Sequence, residues 1–452
     1  MLEMVKKTPN NKHLIYILLG SFFVCIVYSF IFKINPVVDA KAYDAIAQNI
    51  LAGSGFVEVT GMDVKFDKAI IRVGPLYQYF LAGIYLIFGH NYWVVWILQA
   101  LLHTISAYFI YLSARIIFKQ FERVETISLL SAGIFAFFPD LIEISAMLMT
   151  ETLYLFFWVW LIWYFLDFVD KNKIESNKAW LSSIILGVIG GLAVLARPPV
   201  LFALPVIFFY FLLKRKYKLI ILMTFAVGVI FTPWTIRNYL AYQKIMPFGG
   251  AGGYNFWIGN HVGATGEQDK PEEVEEFIEN YGAYLVSDKS IDEFKIFVRD
   301  YPLDFIRLTL LRVNRYFSFA RPMGFWFYDS GISQFVFILS SAIYVFLLFV
   351  FSLFGGIILW TKRNILINYL LAFIVLTPLI LFITVVETRY RFQIYPLLAL
   401  LAGYGLFTFL HNKFLWKSKA FLLSFVLISS NAVIDLLLSL DKLKEKLGLF
   451  IK

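Results

Sequence analysis

The chain is short of charge, of cysteine and of histidine. Only 16% of its 452 residues are Asp, Glu, Lys or Arg, against about 25% in an average soluble domain. With 60% hydrophobic residues, a soluble fold would leave far too much apolar surface in water. One cysteine, Cys25, excludes a disulfide framework and a cysteine-based metal site. Internal repeats and low-complexity linkers are also missing, which argues against repeat architectures and disordered arms.

What the chain does have is apolar runs, many long enough to cross a bilayer as helices of roughly 17–25 residues. It reads as an all-α polytopic membrane protein. The first run, HLIYILLGSFFVCIVYSFIF, is followed by no small-residue cleavage site and is expected to be a retained span. Aromatic residues make up 19% of the chain, enough to furnish interfacial belts. The net charge of +9 does not indicate nucleic-acid binding, because the basic residues sit in short gaps between apolar runs.

Those gaps are residues 6–12, 119–125, 170–178, 214–218, 361–364 and 411–419. The positive-inside rule assigns all of them to the cytoplasm. Residues 75–89, PLYQYFLAGIYLIFG, then decide the count. As a span this segment would send later basic gaps outside; as a short interfacial helix it keeps them inside. The second option gives eleven spans, near 13–33, 92–118, 126–143, 148–168, 180–196, 199–213, 219–235, 332–360, 365–385, 394–411 and 420–440. The expected organisation is one transmembrane domain over residues 1–440 and a short tail over 441–452. External loops fall near 34–91 and 235–331. ARPP and TPW are expected to end helices near the external face.

Under this topology several charged groups share one depth. Asp39 opens DAKAYDAIAQNILAG, whose Tyr43, Ile46, Ala47 and Ile50 have helical spacing. Arg72 precedes the short helix, Glu151 starts the fourth span, Arg197 sits in LARPP and Arg237 follows TPWTI. Glu387, Arg389 and Arg391 form ETRYRF, where another span leaves the membrane. Taken singly, each has an ordinary reading. Asp39 would be an N-cap and Glu151 a first-turn acid, while the arginines would be snorkelling anchors. The acidic stretch KPEEVEEFIEN, residues 270–280, reads as a solvated helix. Together they point to function, since ionisable groups at membrane depth usually line cavities. Arginine forks match phosphate oxygens, and a carboxylate can take a hydroxyl proton. That combination suits a lipid-linked phosphate as leaving group and a hydroxyl as nucleophile.

These motifs resemble the GT-C superfamily of membrane glycosyltransferases. DAKAYDAIAQNILAGSGF is similar to the first-loop Asp-x3-Tyr element, and RVGPLYQYFLAGIYLIFGHNYWVVWILQALL resembles the block that follows. SAMLMTETLYLF carries the second acidic position. TPWTIRNYLAYQKIMPFGGAGGYNFWIGN and ETRYRFQIYPLLALLAGYGL resemble later elements, in family order from about residue 35 to 405. The likeness is to the branch holding protein O-mannosyltransferases and the lipid A aminoarabinose transferase. It implies juxtamembrane helices in the first external loop and a polyprenyl-phosphate sugar donor. It also implies inverting transfer of a hexosyl or pentosyl unit to a hydroxyl of a glycan, lipid or protein. The setting would be the external or periplasmic side of the plasma membrane.

The resemblance casts Asp39 as base and Glu151 as a second acid. Arg72, Arg237, Arg389, Arg391 and Arg197 become candidates for the donor phosphate, with Arg237 and Arg389 foremost. Tyr43, Tyr77, Asn255, Asn260 and Glu387 become candidates for the acceptor or sugar pocket. No obligatory cofactor is expected. Mg²⁺ or Mn²⁺ would find two carboxylates and no clear third oxygen ligand. The chain departs from the pattern at Gly74–Pro75, where Pro-Pro is common, and at Glu151, often Asp. It also has Asp39–Ala40 where protein O-mannosyltransferases carry Asp-Glu, which weakens a protein acceptor. No large soluble domain is expected after the last span. The rival readings are a transporter or flippase of lipid-linked sugars and a non-catalytic envelope assembly subunit.

Overall fold

The computed structural model describes residues 12–321, 332–362, 364–412 and 415–440. The expected tail at 441–452 and the end of the second external loop at 322–331 lie outside them. The helices are α1 (Lys12–Phe32), α2 (Asp39–Leu51), α3 (Pro75–Phe88), α4 (Tyr92–Ile117), α5 (Val124–Ala136) and α6 (Pro139–Ser145). Next come α7 (Thr150–Asp170), α8 (Ala179–Ala196), α9 (Leu204–Leu213) and α10 (Tyr217–Tyr242). The second polar region holds α11 (Ala251–Gly259), α12 (Glu272–Tyr281), α13 (Val286–Asp300) and α14 (Pro302–Tyr316). The last group is α15 (Ile332–Trp360), α16 (Ile365–Leu376), α17 (Leu379–Ile383), α18 (Tyr395–His411) and α19 (Lys419–Leu438).

The protein is an integral, multi-pass membrane protein. Among the described residues, eight helices or helix pairs are long and apolar enough to span, and the bent pair α5–α6 makes a ninth. The expected segments 199–213 and 394–411 are helical too but shorter, so helix length alone does not establish eleven spans. The 53° bend between α5 and α6 has a local cause. Phe138 precedes Pro139 and is extended at ψ 118, because the pyrrolidine ring excludes the helical conformation just before it. The α6 helix (PDLIEIS) holds two fully buried carboxylates, Asp140 and Glu143, and Glu143 finds no hydrogen-bond partner among the described residues.

TPW does not end its helix. α10 runs through Pro233 to Tyr242, so Arg237 rides on a helix and not in a loop. The missing N–H is tolerable in a helix that belongs to a membrane span. Near the proline, Thr232 and Thr235 donate to the carbonyls of Gly228 and Phe231 at 2.8 and 2.9 Å.

The short helix over 75–89 is present as the 14-residue α3, about 21 Å long against a hydrocarbon core of about 30 Å. Its start is locked by Gly74, at φ +37. A Cβ there would collide with the carbonyl oxygens of Leu195 and Ala196 at the end of α8. Only glycine lets α3 meet α8 this closely. Gly74→Ala should therefore destabilise the detergent-solubilised protein by about 1–3 kcal/mol, read as a lower thermal unfolding midpoint. An unchanged midpoint would show that the contact relaxes freely.

The two polar regions are stitched together. Arg237 donates to the Phe56 carbonyl at 2.9 Å, and the Gly250 N–H reaches the Ile70 carbonyl at 2.8 Å. The Tyr284 N–H reaches the Lys65 carbonyl at 3.3 Å, and Lys68 pairs with Glu275 at 2.8 Å. These contacts join residues 56–70 to residues 237–284.

Candidate active site

Asp39 is the first residue of α2 and follows Val38, which sits at φ +46. A β-branched residue at positive φ is strained, and such strain clusters at functional sites. The Asp39 carboxylate bridges two guanidiniums. Oδ1 accepts from Arg72 Nη1 at 3.0 Å and Oδ2 lies 2.9 Å from Arg389 Nη2. Burial alone would raise this carboxyl, but Arg389 and Arg72 outweigh it and hold it below the usual carboxylate range. Arg389 is buried, which disfavours its charge. Glu387, at 2.8 Å, and Asp39 more than compensate, so it stays a cation.

Arg389 belongs to the 3-10 turn Thr388–Gln393, which leads into α18 through Pro396. Beside Arg389 opens a cavity of about 380 Å³. Its walls are mostly apolar: Pro198, Pro199, Leu201 and Phe202 from the turn after α8, Ile245–Phe248 after α10, and Ile380 and Leu381 from α17. Arg197, Arg389 and Asn255 supply polar groups. Lys244, also on the wall, is paired with Asp288. Several apolar wall residues are also exposed, among them Phe202 at 41% and Ile245 at 73%. The cavity is therefore built like a slot for a chain of hydrocarbon with a charged head.

Glu151 opens α7 and is buried at 1% exposure. It pairs with Arg197 Nη1 at 2.5 Å and accepts from Thr150 Oγ1 at 3.1 Å. Gln99 of α4 fixes the approach to α7 by donating to the carbonyls of Ser145 and Met147, both at 2.8 Å. Arg197 also lies over the rings of Tyr390 and Tyr154, 5.3 and 5.9 Å from the centroids. Glu151 pairs with Arg197, whereas Asp39 pairs with Arg72 and Arg389. The two carboxylates act electrostatically on common neighbours, Tyr43 and Arg389.

The other expected residues divide. Tyr43 is buried among Asp39, Arg389, Glu151 and Arg197, its ring edge-on to Tyr77 at 5.8 Å. Tyr77 is buried and donates to Gln99 at 2.7 Å, so it braces the bundle, and it is not among the residues lining the apolar cavity. Asn260 is likewise internal, donating to the Phe256 and Ile383 carbonyls and accepting from Arg312. Arg391 spends its donors on three backbone carbonyls, those of Thr388, Ser318 and Arg321. These contacts tie it to the backbone, and it is not among the residues lining the apolar cavity. Arg237 donates to Asn238, Tyr242 and the Phe56 carbonyl within a cage of Phe56, Trp234 and Tyr242 rings. It does not line the cavity. Arg72 gives Nε and Nη2 to Glu58, both at 3.0 Å, and Nη1 to Asp39, which makes it the clamp on the carboxylate. Sequence reading missed Glu58 and Lys244, and no spacing or motif marks either. Among the described residues no three His, Cys, Asp or Glu side chains gather as a metal site.

Residues 72–236 match the family model described as dolichyl-phosphate-mannose-protein mannosyltransferase. That stretch contains Arg72, Glu151 and Arg197. The fold is similar to an Archaeoglobus fulgidus oligosaccharyltransferase solved with Zn and sulfate (TM-score 0.53, 13% identity, 93% of this chain and 52% of that one). It is similar to ArnT from Cupriavidus metallidurans bound to undecaprenyl phosphate (0.51, 13%, 88% and 60%). It also resembles the A. fulgidus oligosaccharyltransferase AglB with an inhibitory peptide and a dolichol-phosphate (0.50, 14%, 93% and 55%). A search of curated proteins gives no significant match. The chain spans 52–60% of the length of these solved chains. At such identities the likeness is one of fold: an all-helical membrane domain of the GT-C type. Residues 72–236 and the overall fold are thus each similar to those of membrane glycosyltransferases of the GT-C type.

Proposed function

We propose that the protein is an inverting glycosyltransferase that moves a sugar from a polyprenyl-phosphate donor to a hydroxyl acceptor. The carrying observation is the position of Arg389, which lines the apolar cavity and also holds Asp39 at 2.9 Å. A prenyl chain would fill the cavity, with its phosphate on Arg389 and Arg197. Asp39 would take the acceptor proton as the hydroxyl oxygen attacks the anomeric carbon. The bond from that carbon to the phosphate oxygen breaks, and the phosphate leaves with the electron pair. Preorganised cations stabilise the charge that develops there. Glu151 keeps Arg197 in place. The site would face the external side of the plasma membrane. ArnT and AglB were solved with polyprenyl phosphates bound, which favours this donor class.

The step uses no metal. Both Asp39 oxygens face guanidiniums, whose charge opposes a divalent cation at that point. The experiment is product formation by the purified protein in detergent from a radiolabelled polyprenyl-phosphate sugar, with and without EDTA. Transfer that survives EDTA is expected. Donor binding with no product under any acceptor would favour the flippase reading.

A further inference from the structure

We infer that a cleft on the solvent side of the second polar region is an acceptor-binding subsite for an uncharged or amine-bearing glycan, which rests on the proposed transferase reading. The cleft holds about 640 Å³ and runs between α12, α13 and the end of α11. Its α12 wall presents Glu273, Glu276, Phe277, Asn280 and Tyr281, spaced to fall on one helical face, while Val274 and Ile278 bury the other. The acidic helix that reads as merely solvated in the sequence therefore has a second use.

Three rings of the cleft lining touch in succession. Trp257 meets Phe277 edge-on at 6.4 Å, and Phe277 lies against Tyr281 at 5.0 Å. Tyr281 is 61% exposed. An aromatic face offers apolar area to the C–H side of a sugar ring, and carboxylates accept from its hydroxyls or amines. Lys289 is neutralised by Glu293 at 2.6 Å. Glu273 and Glu276 enter no ion pair among the described residues, so the cleft is net negative and repels an anionic ligand.

Helix α11 separates the cleft from the apolar cavity. Gly252, Asn255 and Phe256 of α11 line the apolar cavity, whereas Trp257 lies on the cleft side of the same helix. Tyr254, one helical step from Trp257, lies in the field of Arg72 and Asp39. Donor and acceptor would thus approach Asp39 from opposite faces of α11.

The test is equilibrium binding of three probes to the full-length protein in detergent: N-acetylglucosamine oligomers, their deacetylated forms and a hexuronic acid oligomer. A lysine-rich peptide is the fourth probe. The first two should bind and the third should not. Glu273→Gln with Glu276→Gln should weaken deacetylated-oligomer binding about tenfold, the cost of one charge-assisted hydrogen bond. Tyr281→Ala should weaken both glycans. Binding of the peptide alone, of the uronic oligomer equally well, of nothing, or without sensitivity to these variants would overturn the assignment. Binding is read without turnover, so a protein that transfers sugar but ignores these probes refutes the subsite and not the transferase.

Discussion

Asp39→Asn is expected to lower the rate of sugar transfer by about 10²–10⁴, the usual value of a general base. The amide keeps an oxygen for Arg72 or Arg389 but cannot take the acceptor proton. The loss should fall on kcat, and donor KM should not rise, because Arg389 remains in the cavity wall. Near-wild-type transfer by the purified variant would remove Asp39 from the chemistry. The wild-type pH profile carries a linked expectation. Arg389 and Arg72 hold the Asp39 carboxyl below its ordinary range, near 3.9 for a free side chain. Any loss of activity from protonating Asp39 therefore belongs below about pH 4. The stability that the pairing contributes is present above that unfolded-state value and fades as pH falls through the lower folded one. An acid limb near neutrality would have to come from another group.

Arg389→Ala should be the most damaging single change. It removes the group that joins cavity and carboxylate, leaving Glu387 without its partner and Asp39 with Arg72 alone. Breaking a buried pair from one side costs about 3–5 kcal/mol, and loss of a transition-state donor costs about 10²–10³ in rate. Arg389→Lys separates the two. Charge is kept while the fork is lost, so the thermal midpoint should recover most of its value and transfer should not. If the lysine variant transfers at the wild-type rate, the fork geometry is irrelevant and Arg389 contributes only charge.

Much of this site was legible because membrane depth makes charge conspicuous. Asp39, Arg72, Glu387 and Arg389 stand out against apolar runs, and the structure brings all four into one chain of ion pairs. Glu151 and Arg197 were legible for the same reason and form their own pair. Partner choice was not legible. Arg237 and Arg391 look as available in the sequence as Arg389 does. Their partners are backbone carbonyls and rings, such as those of Phe56 and Ser318, from remote segments. A carbonyl carries no residue-type signal. Pro233 misled because a proline usually ends a helix, yet this helix accommodates it. The buried Asp140 and Glu143 were overlooked because span boundaries drawn from hydropathy put Glu143 at an end.

The stitches between the two polar regions have a mechanical meaning. The turn Lys68–Ile71 is held by Glu275 of α12 and by the Gly250 N–H, and the next residue is Arg72. Asp39 is therefore connected to α12 through a short relay: helix, lysine, turn, guanidinium, carboxylate. Its weakest joint is the partly exposed Lys68–Glu275 pair, because an ion pair open to water contributes only about 0–1 kcal/mol.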